Sequence, residues 1–324
     1  MQDGTGIILV NWNNYMDTIQ CVYSLVRIIG DNDKILICDN ASVNNSREIM
    51  YEEFYDKYNT VLLDYSFDEF DKYDLSNCKI VIINTMKNGG FGYANNVGVR
   101  YTMCINTIKY IWILNNDTVV DVNTLFFLKS NLNTNSQIGI VGSSIYEYSN
   151  KDVLYTQGGF EKNLTGIYTR KILLNKNDFL IHGFVSGACM FMKKELFIKV
   201  GGFDERYFMY VEDMDLCEKV KKEGYILSCS VKSKVYHKEG AATDKDKLKR
   251  PSDKQFIMFG YYDLRNNIYF QRKYCGNLGL LRSLYIIVRR MVGVVLYDNL
   301  KFDRIKIMLK AFKDGYKSQM GKVL

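Results

Sequence analysis

The chain of 324 residues has little that would staple, cross-link or break its backbone. It contains one proline, Pro251, and 8 cysteines, none of them in a Cys-x-x-Cys pair. Cys38 follows Ile35-Leu36-Ile37 and Cys189 lies between Ala188 and Met190, so these thiols read as reduced, buried small hydrophobes. No apolar run has the ~20 residues a spanning helix needs. The stretch Leu284 to Leu296 is too short and is interrupted by Arg289-Arg290. No secretory leader is expected either, because polar Met1 to Gly6 leads straight into the brief run Ile7 to Val10, and the expected location is the cytoplasm. Solenoid-period repeats and low-complexity tracts are missing, which favours one large domain with an appended element.

The formal net charge is +7. Its placement excludes a diffuse nucleic-acid-binding surface, because residues 277–324 hold ten Lys or Arg against three Asp or Glu and so carry the whole excess. No nucleic-acid partner is expected.

What is present is an alternation of short apolar strands with helical patterns, the mark of a parallel sheet with crossover helices. Strands are expected at Ile7 to Asn11, Lys34 to Asp39, Lys79 to Ile83, Tyr110 to Leu114 and Ile138 to Val141. Helices are expected at Tyr15 to Ile29, Asn44 to Tyr55, Gly92 to Ile105 and Asp121 to Ser130. Asp64 to Asp74 reads as an inserted acidic loop. Later come a strand over Val185 to Met192, a helix over Glu212 to Glu223 closed by Gly224, and a short strand over Val231 to Tyr236. Thr243 to Lys254 mixes dense charge with Pro251 and reads as a mobile loop before an aromatic-rich helix, Phe256 to Tyr274.

Four constellations could carry chemistry. Asn115-Asn116-Asp117 directly follows the strand Tyr110 to Leu114, and ligands of open parallel sheets bind beyond the carboxyl ends of strands. Alone, such a tripeptide is more often an ordinary turn or cap. As a site, Asp117 offers hard carboxylate oxygen to Mg²⁺ or Mn²⁺ held against a diphosphate. The second is Asn88-Gly89-Gly90-Phe91-Gly92-Tyr93-Ala94-Asn95-Asn96, a glycine-rich turn between the third strand and a helix. It admits close backbone approach and places a helix N-terminus near an anion. It lacks the Gly-Lys-Ser/Thr of a P-loop, and Asn95 replaces the third glycine of a dinucleotide fingerprint, so both of those classes are disfavoured.

The third is the block Gly201-Gly202-Phe203-Asp204-Glu205 through Glu212-Asp213. Met214, Cys217 and Val220 face the core at helical spacing, leaving Glu212 and Asp213 in the opening turn. There they are either dipole partners, or Asp213 is a general base, ionised at neutral pH, that takes a proton from an attacking sugar hydroxyl. Fourth, His237 ends the strand Val231 to Tyr236 and leads into the charged loop, where it is structural or a hinge beside a metal-bound diphosphate. His182 is given no role.

In this order the motifs resemble the family 2 glycosyltransferases of GT-A fold, in particular the bacterial rhamnosyltransferase-like branch acting on surface polysaccharides. The likeness runs through Val10-Asn11-Trp12-Asn13-Asn14, Asp39-Asn40-Ala41-Ser42, the glycine-rich turn, Asn115-Asn116-Asp117, Ser186-Gly187-Ala188, the Gly-Gly-Phe-Asp-Glu to Glu-Asp block and His237. The resemblance implies an α/β GT-A fold, a Rossmann-like mixed sheet flanked by helices, with a C-terminal helical extension. It implies a catalytic domain over residues 1–242, with a nucleotide-sugar half to about residue 120 and an acceptor half beyond it. Residues 243–254 would form the loop and 255–324 a basic amphipathic extension.

It further implies an inverting transfer from a nucleotide-diphosphate sugar, dTDP-rhamnose or a UDP-sugar, to a lipid-linked or oligosaccharide acceptor. Asn11, Asp39, Asn88, Gly89, Gly90, Asn95, Asn96, Asn115 and Asn116 would hold the nucleotide-sugar, and Asp117, with His237, the Mg²⁺ or Mn²⁺. Gly187, Ala188 and Glu212 would line the meeting point of donor and acceptor sugars, with Asp213 as base. Asn115 and Asn116 replace carboxylates of the family's Asp-x-Asp, leaving fewer negative protein ligands for the metal.

Phe302, Ile305, Met308, Leu309 and Phe312 recur at helical spacing among Arg304, Lys306, Lys310 and Lys313. Such a helix either packs on the domain or lies on anionic lipid, and lipid-linked acceptors favour contact with the inner face of the plasma membrane. A homodimer stays open. A sugar nucleotidyltransferase and an inactive glycan-binding module are the competing classes. The first commonly has a glycine-rich first turn where this chain has Asn11-Trp12-Asn13-Asn14, and retention of Asp117 and Asp213 counts against the second.

Overall fold

A computed structural model describes residues 3–65, 74–75, 77–162, 168–170, 177–181, 183–238, 253–297 and 301–323. The first half runs β1 (Gly4–Asn11), α1 (Tyr15–Leu25), β2 (Lys34–Asp39), α2 (Ser46–Tyr58), β3 (Thr60–Asp64), β4 (Ile80–Asn84), α3 (Phe91–Thr102), β5 (Ile108–Asn115), β6 (Thr118–Val120), α4 (Thr124–Thr134) and β7 (Ile138–Glu147). It continues with β8 (Leu154–Gln157), β9 (Gly159–Lys162), β10 (Tyr168–Arg170), β11 (Phe179–Ile181), β12 (Phe184–Val185), β13 (Cys189–Lys193), α5 (Lys194–Lys199), α6 (Glu212–Lys222) and β14 (Ile226–His237). The helices α7 (Asp253–Tyr297) and α8 (Lys301–Tyr316) follow.

The main sheet has the order β11-β14-β7-β13-β5-β1-β2-β4-β3, with β6 and β8 attached to β14 and β7. From β5 to β3 all neighbours are parallel. Alternate strand residues serve two buried layers, which is why these strands read as unbroken apolar runs. Ile8, Leu36, Val81 and Ile113 join the layer of α3 and α6. Ile7, Leu9, Ile35, Ile37 and Trp112 join the layer of α1, α2 and α4.

Several expectations are corrected. The glycine-rich turn follows the fourth strand, because the edge strand β3 pairs with β4 just after α2. The strand expected over Val185 to Met192 is two strands separated by the turn Ser186-Gly187-Ala188. They part because β12 pairs with β9 in a small sheet whereas β13 pairs antiparallel with β5 and β7. Helix α1 ends at Leu25 rather than Ile29. Most of the expected loops at 64–74 and 243–254, and His182, lie outside the described residues.

The extension packs on the domain. Tyr261, Tyr262, Leu264 and Ile268 of α7 and Met308 and Ala311 of α8 form one buried cluster with Phe208. Helix α7 is interrupted at Gly276, where φ is 53°. Beyond it Leu281, Val288, Val292 and Leu296 are exposed.

Candidate active site

The parallel register brings the polar ends of neighbouring strands into one row, with Asn11 beside Asp39, Val10 beside Asn115 and Asp39 beside Asn84. Asp39 is held by three donors. Asn11 Nδ2 donates to it at 2.7 Å, the Ser42 amide at 2.9 Å and Ser42 Oγ at 2.7 Å. The Asp-x-x-Ser spacing is the signal for this local turn. Thr18 Oγ1 donates to Asn11 Oδ1 at 2.9 Å and accepts from Asn116 Nδ2 at 2.8 Å. Asn11, Asp39 and Asn116 are thus one braced network. Thr18 and Ser42, which complete it, were not singled out among the expected site residues.

The glycine-rich turn lies alongside. Asn40 Nδ2 donates to Asn88 Oδ1 at 3.1 Å, and the Gly89 amide donates to Asn40 Oδ1 at 3.2 Å. Gly90 caps α3 with φ at 91°. A Cβ there would stand 1.9 Å from the Phe208 carbonyl oxygen, which accepts from the Phe91 amide at 3.0 Å. The two asparagines that follow sit apart from the strand-end row. Asn95 Nδ2 donates to the Phe91 carbonyl at 2.9 Å. Asn96 Nδ2 donates to the Phe203 carbonyl at 3.0 Å and to Glu205 at 2.9 Å, pinning the Gly-Gly-Phe-Asp-Glu segment.

Beyond β5, His237 Nε2 lies 2.9 Å from Asp117 Oδ1 and 3.3 Å from Asn115 Nδ2. Strand β14 brings His237 there by pairing it with Thr118, and the Lys238 amide donates to the Asp117 carbonyl at 3.0 Å. The Lys238 ammonium is anchored on Asp17. Among the described residues no group of three His, Cys, Asp or Glu could enclose a metal. One carboxylate with one imidazole nonetheless fits a Mg²⁺ or Mn²⁺ that takes its remaining ligands from diphosphate and water.

The second carboxylate centre is joined to the first through one turn. The Asn115 amide donates to the Ala188 carbonyl at 3.1 Å, and the Gly187 amide donates to Asp213 Oδ2 at 3.0 Å. Burial pushes the Asp213 carboxyl above the usual aspartate range, opposed by donation from the Gly187 and Met214 amides. Burial, and then the neighbouring Asp213, push Glu212 up to about 8. Glu212 Oε2 is buried with no hydrogen-bond partner among the described residues. Of the pair, Asp213, with amide donors, is the one built to be an anion while Glu212 keeps its proton.

The segment before them is strained. Phe208, Tyr210 and Val211 have φ of 64°, 68° and 74°, a region that costs a residue with a Cβ about 1–3 kcal/mol each. Such a run persists only where its surroundings hold it.

A parallel sheet with polar strand ends, continued by antiparallel β13 beside β5 and flanked by helices, is the layout of the GT-A fold. The sequence profile described as "Glycosyl transferase family 2" matches residues 6–201, and the chain belongs to that family. An N-acetylglucosaminyl-diphospho-decaprenol L-rhamnosyltransferase of Mycobacterium tuberculosis is 41% identical over 64 residues, covering 20% of this chain and 21% of that one. The rhamnosyltransferase WbbL of Escherichia coli is 27% identical over 147 residues, covering 42% and 55%. The chain therefore matches about a fifth and about half of the lengths of these relatives. Among solved structures, GalNAc-T7 with UDP, GalNAc and Mn²⁺ superposes with a TM-score of 0.61 at 15% identity, covering 98% of this chain and 56% of that one. TarS of S. aureus gives 0.57 at 13% identity, covering 98% and 82%. At such identity these two likenesses concern the fold.

Proposed function

We propose that the chain is an inverting hexosyltransferase that moves a sugar from a nucleoside-diphosphate donor to a hydroxyl of a glycan acceptor during polysaccharide synthesis. The observation that carries this reading is the turn Ser186-Gly187-Ala188, which ties Asn115, two residues from Asp117, to Asp213. Asp39 and Asn11, with Asn88, Gly89 and Gly90, cradle the nucleotide, and Asn115 and Asn116 border the diphosphate. Asp117 and His237 would hold Mg²⁺ or Mn²⁺, which when bound supplies positive charge to the departing diphosphate. Asp213 accepts the proton of the acceptor hydroxyl as its oxygen attacks the anomeric carbon, and the bond to the diphosphate oxygen breaks on the opposite face. One displacement inverts the centre. Glu212, kept neutral by burial, is a hydrogen-bond donor beside the sugars. Asn95 and Asn96 support the turn.

Two relatives named as rhamnosyltransferases support dTDP-rhamnose as donor, with a UDP-sugar as the alternative, and one of those names supports a lipid-linked acceptor. No helix among the described residues is long and apolar enough to cross a membrane. The exposed residues Val288, Val292 and Leu296, with Arg289 beside them, suit peripheral contact with anionic lipid at the inner face of the plasma membrane. In this scheme residues 1–242 are the catalytic unit and 255–324 the membrane-facing extension.

The test is nucleoside diphosphate release from dTDP-rhamnose, and in parallel from UDP-sugars, with N-acetylglucosaminyl-diphospho-polyprenol and with or without Mn²⁺. Acceptor-dependent release that needs the metal is expected. Exchange of inorganic diphosphate into the donor would instead mark a nucleotidyltransferase, and binding of the glycan with no turnover on any donor an inactive module.

A further inference from the structure

The strained segment that leads into Glu212 and Asp213 has its carbonyls gripped from the C-terminal extension. Asn266 Nδ2 lies 3.0 Å from the Tyr207 carbonyl, 2.6 Å from that of Met209 and 2.8 Å from that of Tyr210. Arg265 Nη2 donates to the Tyr207 carbonyl at 3.0 Å, and Arg265 Nε donates to Asn266 Oδ1 at 2.9 Å, which sets the orientation of the amide. Both side chains are fully buried. Arg265 is fixed in turn by donation to the Gly321 carbonyl at 2.7 Å and by the Tyr262 ring, 4.8 Å from the guanidinium. The remaining carbonyl, that of Phe208, is held by the Phe91 amide at the glycine-rich turn.

Seven residues further along the same helix, and so on nearly the same face, Lys273 Nζ donates to buried Asp215 Oδ1 at 2.6 Å, and Tyr274 donates to it at 2.9 Å. Helix α7 therefore holds this stretch at both ends, at the carbonyls before α6 and at a carboxylate inside its first turn. Within the segment the Met209 amide donates to the Tyr207 carbonyl at 2.8 Å, and the contacts from α7 add to that local turn where Phe208, Tyr210 and Val211 stand in the left-handed region.

We propose that Asn266, oriented by Arg265, is a positioning residue for the acceptor-side carboxylates, so that the extension is part of the catalytic unit's working geometry and not only an attachment to it. This rests on the reading of Asp213 as the base. Removing the Asn266 amide takes a donor from the Met209 and Tyr210 carbonyls, lets Tyr210 and Val211 relax toward negative φ, and rotates the start of α6 away from Gly187. The donor side is spared, since Asn11, Asp39 and Asn116 are braced by Ser42 and Thr18.

The test compares wild type with Asn266→Ala, Asp213→Asn and the double variant, using dTDP release from dTDP-rhamnose with Mn²⁺ and the polyprenyl acceptor, or from the UDP-sugar if that is the donor turned over. Asn266→Ala is expected to lower kcat by about 10- to 100-fold with donor KM within about 3-fold. Amide hydrogen exchange of the free protein should rise over residues 207–215 and stay unchanged over 7–11 and 34–39. The double variant should be no slower than Asp213→Asn alone, because both changes act through one group. Additive losses, or a rise in donor KM matching the fall in kcat, would overturn the proposal. A folded Asp213→Asn with wild-type turnover would instead sink the base reading. Should Asn266→Ala not fold, Arg265→Lys, which keeps the charge but loses the fork to Asn266, must show the same exchange pattern, and uniform exchange across the protein would count against it.

Discussion

Gly90 is where the glycine-rich turn and the segment leading into Asp213 touch, and replacing it with alanine measures how tightly the two are joined. The new methyl carbon would lie 1.9 Å from the Phe208 carbonyl oxygen and 2.7 Å from its Cα, atoms of backbone that cannot rotate aside. Its φ of 91° and ψ of 178° add strain that falls on any residue with a Cβ. Gly201→Ala supplies the control, since Gly201 has φ of 76° with nothing within 4 Å of its would-be Cβ. The backbone penalty is about 1–3 kcal/mol at either site. Gly90→Ala also loses the hydrogen bond from the Phe91 amide to Phe208, about 1 kcal/mol, and must push the Phe208 to Val211 segment outward. The difference between the variants should be about 2 kcal/mol or more. In a thermal melt that is a gap of about 3 °C or more. A shift of about 1 Å at Asp213 would lower kcat about 100-fold in the first variant and leave the second near wild type. Equal melting temperatures and equal kcat for the two would refute the idea that this contact couples the donor and acceptor halves.

Other consequences follow from the same geometry. Unfolded, Glu212 titrates near an ordinary glutamate value, and folded it titrates near 8. Its contribution is therefore fully present below about pH 4.5 and is lost as pH rises through 8, at most about 5 kcal/mol. Glu212→Gln should flatten the fall in melting temperature between pH 6 and pH 9, and a variant whose melting curve tracks wild type across that range would contradict the burial argument. His237→Ala should raise the Mn²⁺ concentration for half-maximal activity about 10-fold or more, and Asp117→Asn more still. An unchanged metal requirement in both would remove the metal assignment. Val288→Glu with Val292→Glu should weaken binding to phosphatidylglycerol vesicles while turnover of a water-soluble acceptor persists. Undiminished vesicle binding would place the lipid contact elsewhere. Point changes suit this test better than truncation after Tyr274, which would strip away Asp314, the acceptor for buried Tyr261, and Gly321, the acceptor for Arg265.

Legibility in the sequence followed from how each part is held. Strands β1, β2, β4 and β5 are buried on both faces, so each reads as an apolar run that ends where the sheet ends, and Asn11, Asp39 and Asn115 stand at those ends. The turn at Gly187 was legible as a motif but not as a break between strands, since Val185 to Met192 is apolar on both sides of it and only long-range pairing separates β12 from β13. The short strands β8 to β11 carry no periodicity long enough to read. Asn95 and Asn96 share a motif with the positions expected to hold the nucleotide-sugar, and in the structure their amides donate to Phe91, Phe203 and Glu205. Arg265 and Asn266 left no trace at all, because two polar residues in an amphipathic helix look like its solvated face until the backbone they hold is seen. The basic tail read equally as packed or lipid-facing, and it packs through Met308 and Ala311 while exposing Leu309 and Phe302.

In the proposed mechanism Asp213 removes the acceptor proton while Asp117 serves the leaving diphosphate. Steady-state kinetics of dTDP release from dTDP-rhamnose with Mn²⁺ and the polyprenyl acceptor, run on folded Asp213→Asn, test it most directly. A fall in kcat of about 100-fold or more is expected, with donor KM little changed and the metal requirement intact. Turnover by that variant near the wild-type rate would contradict it.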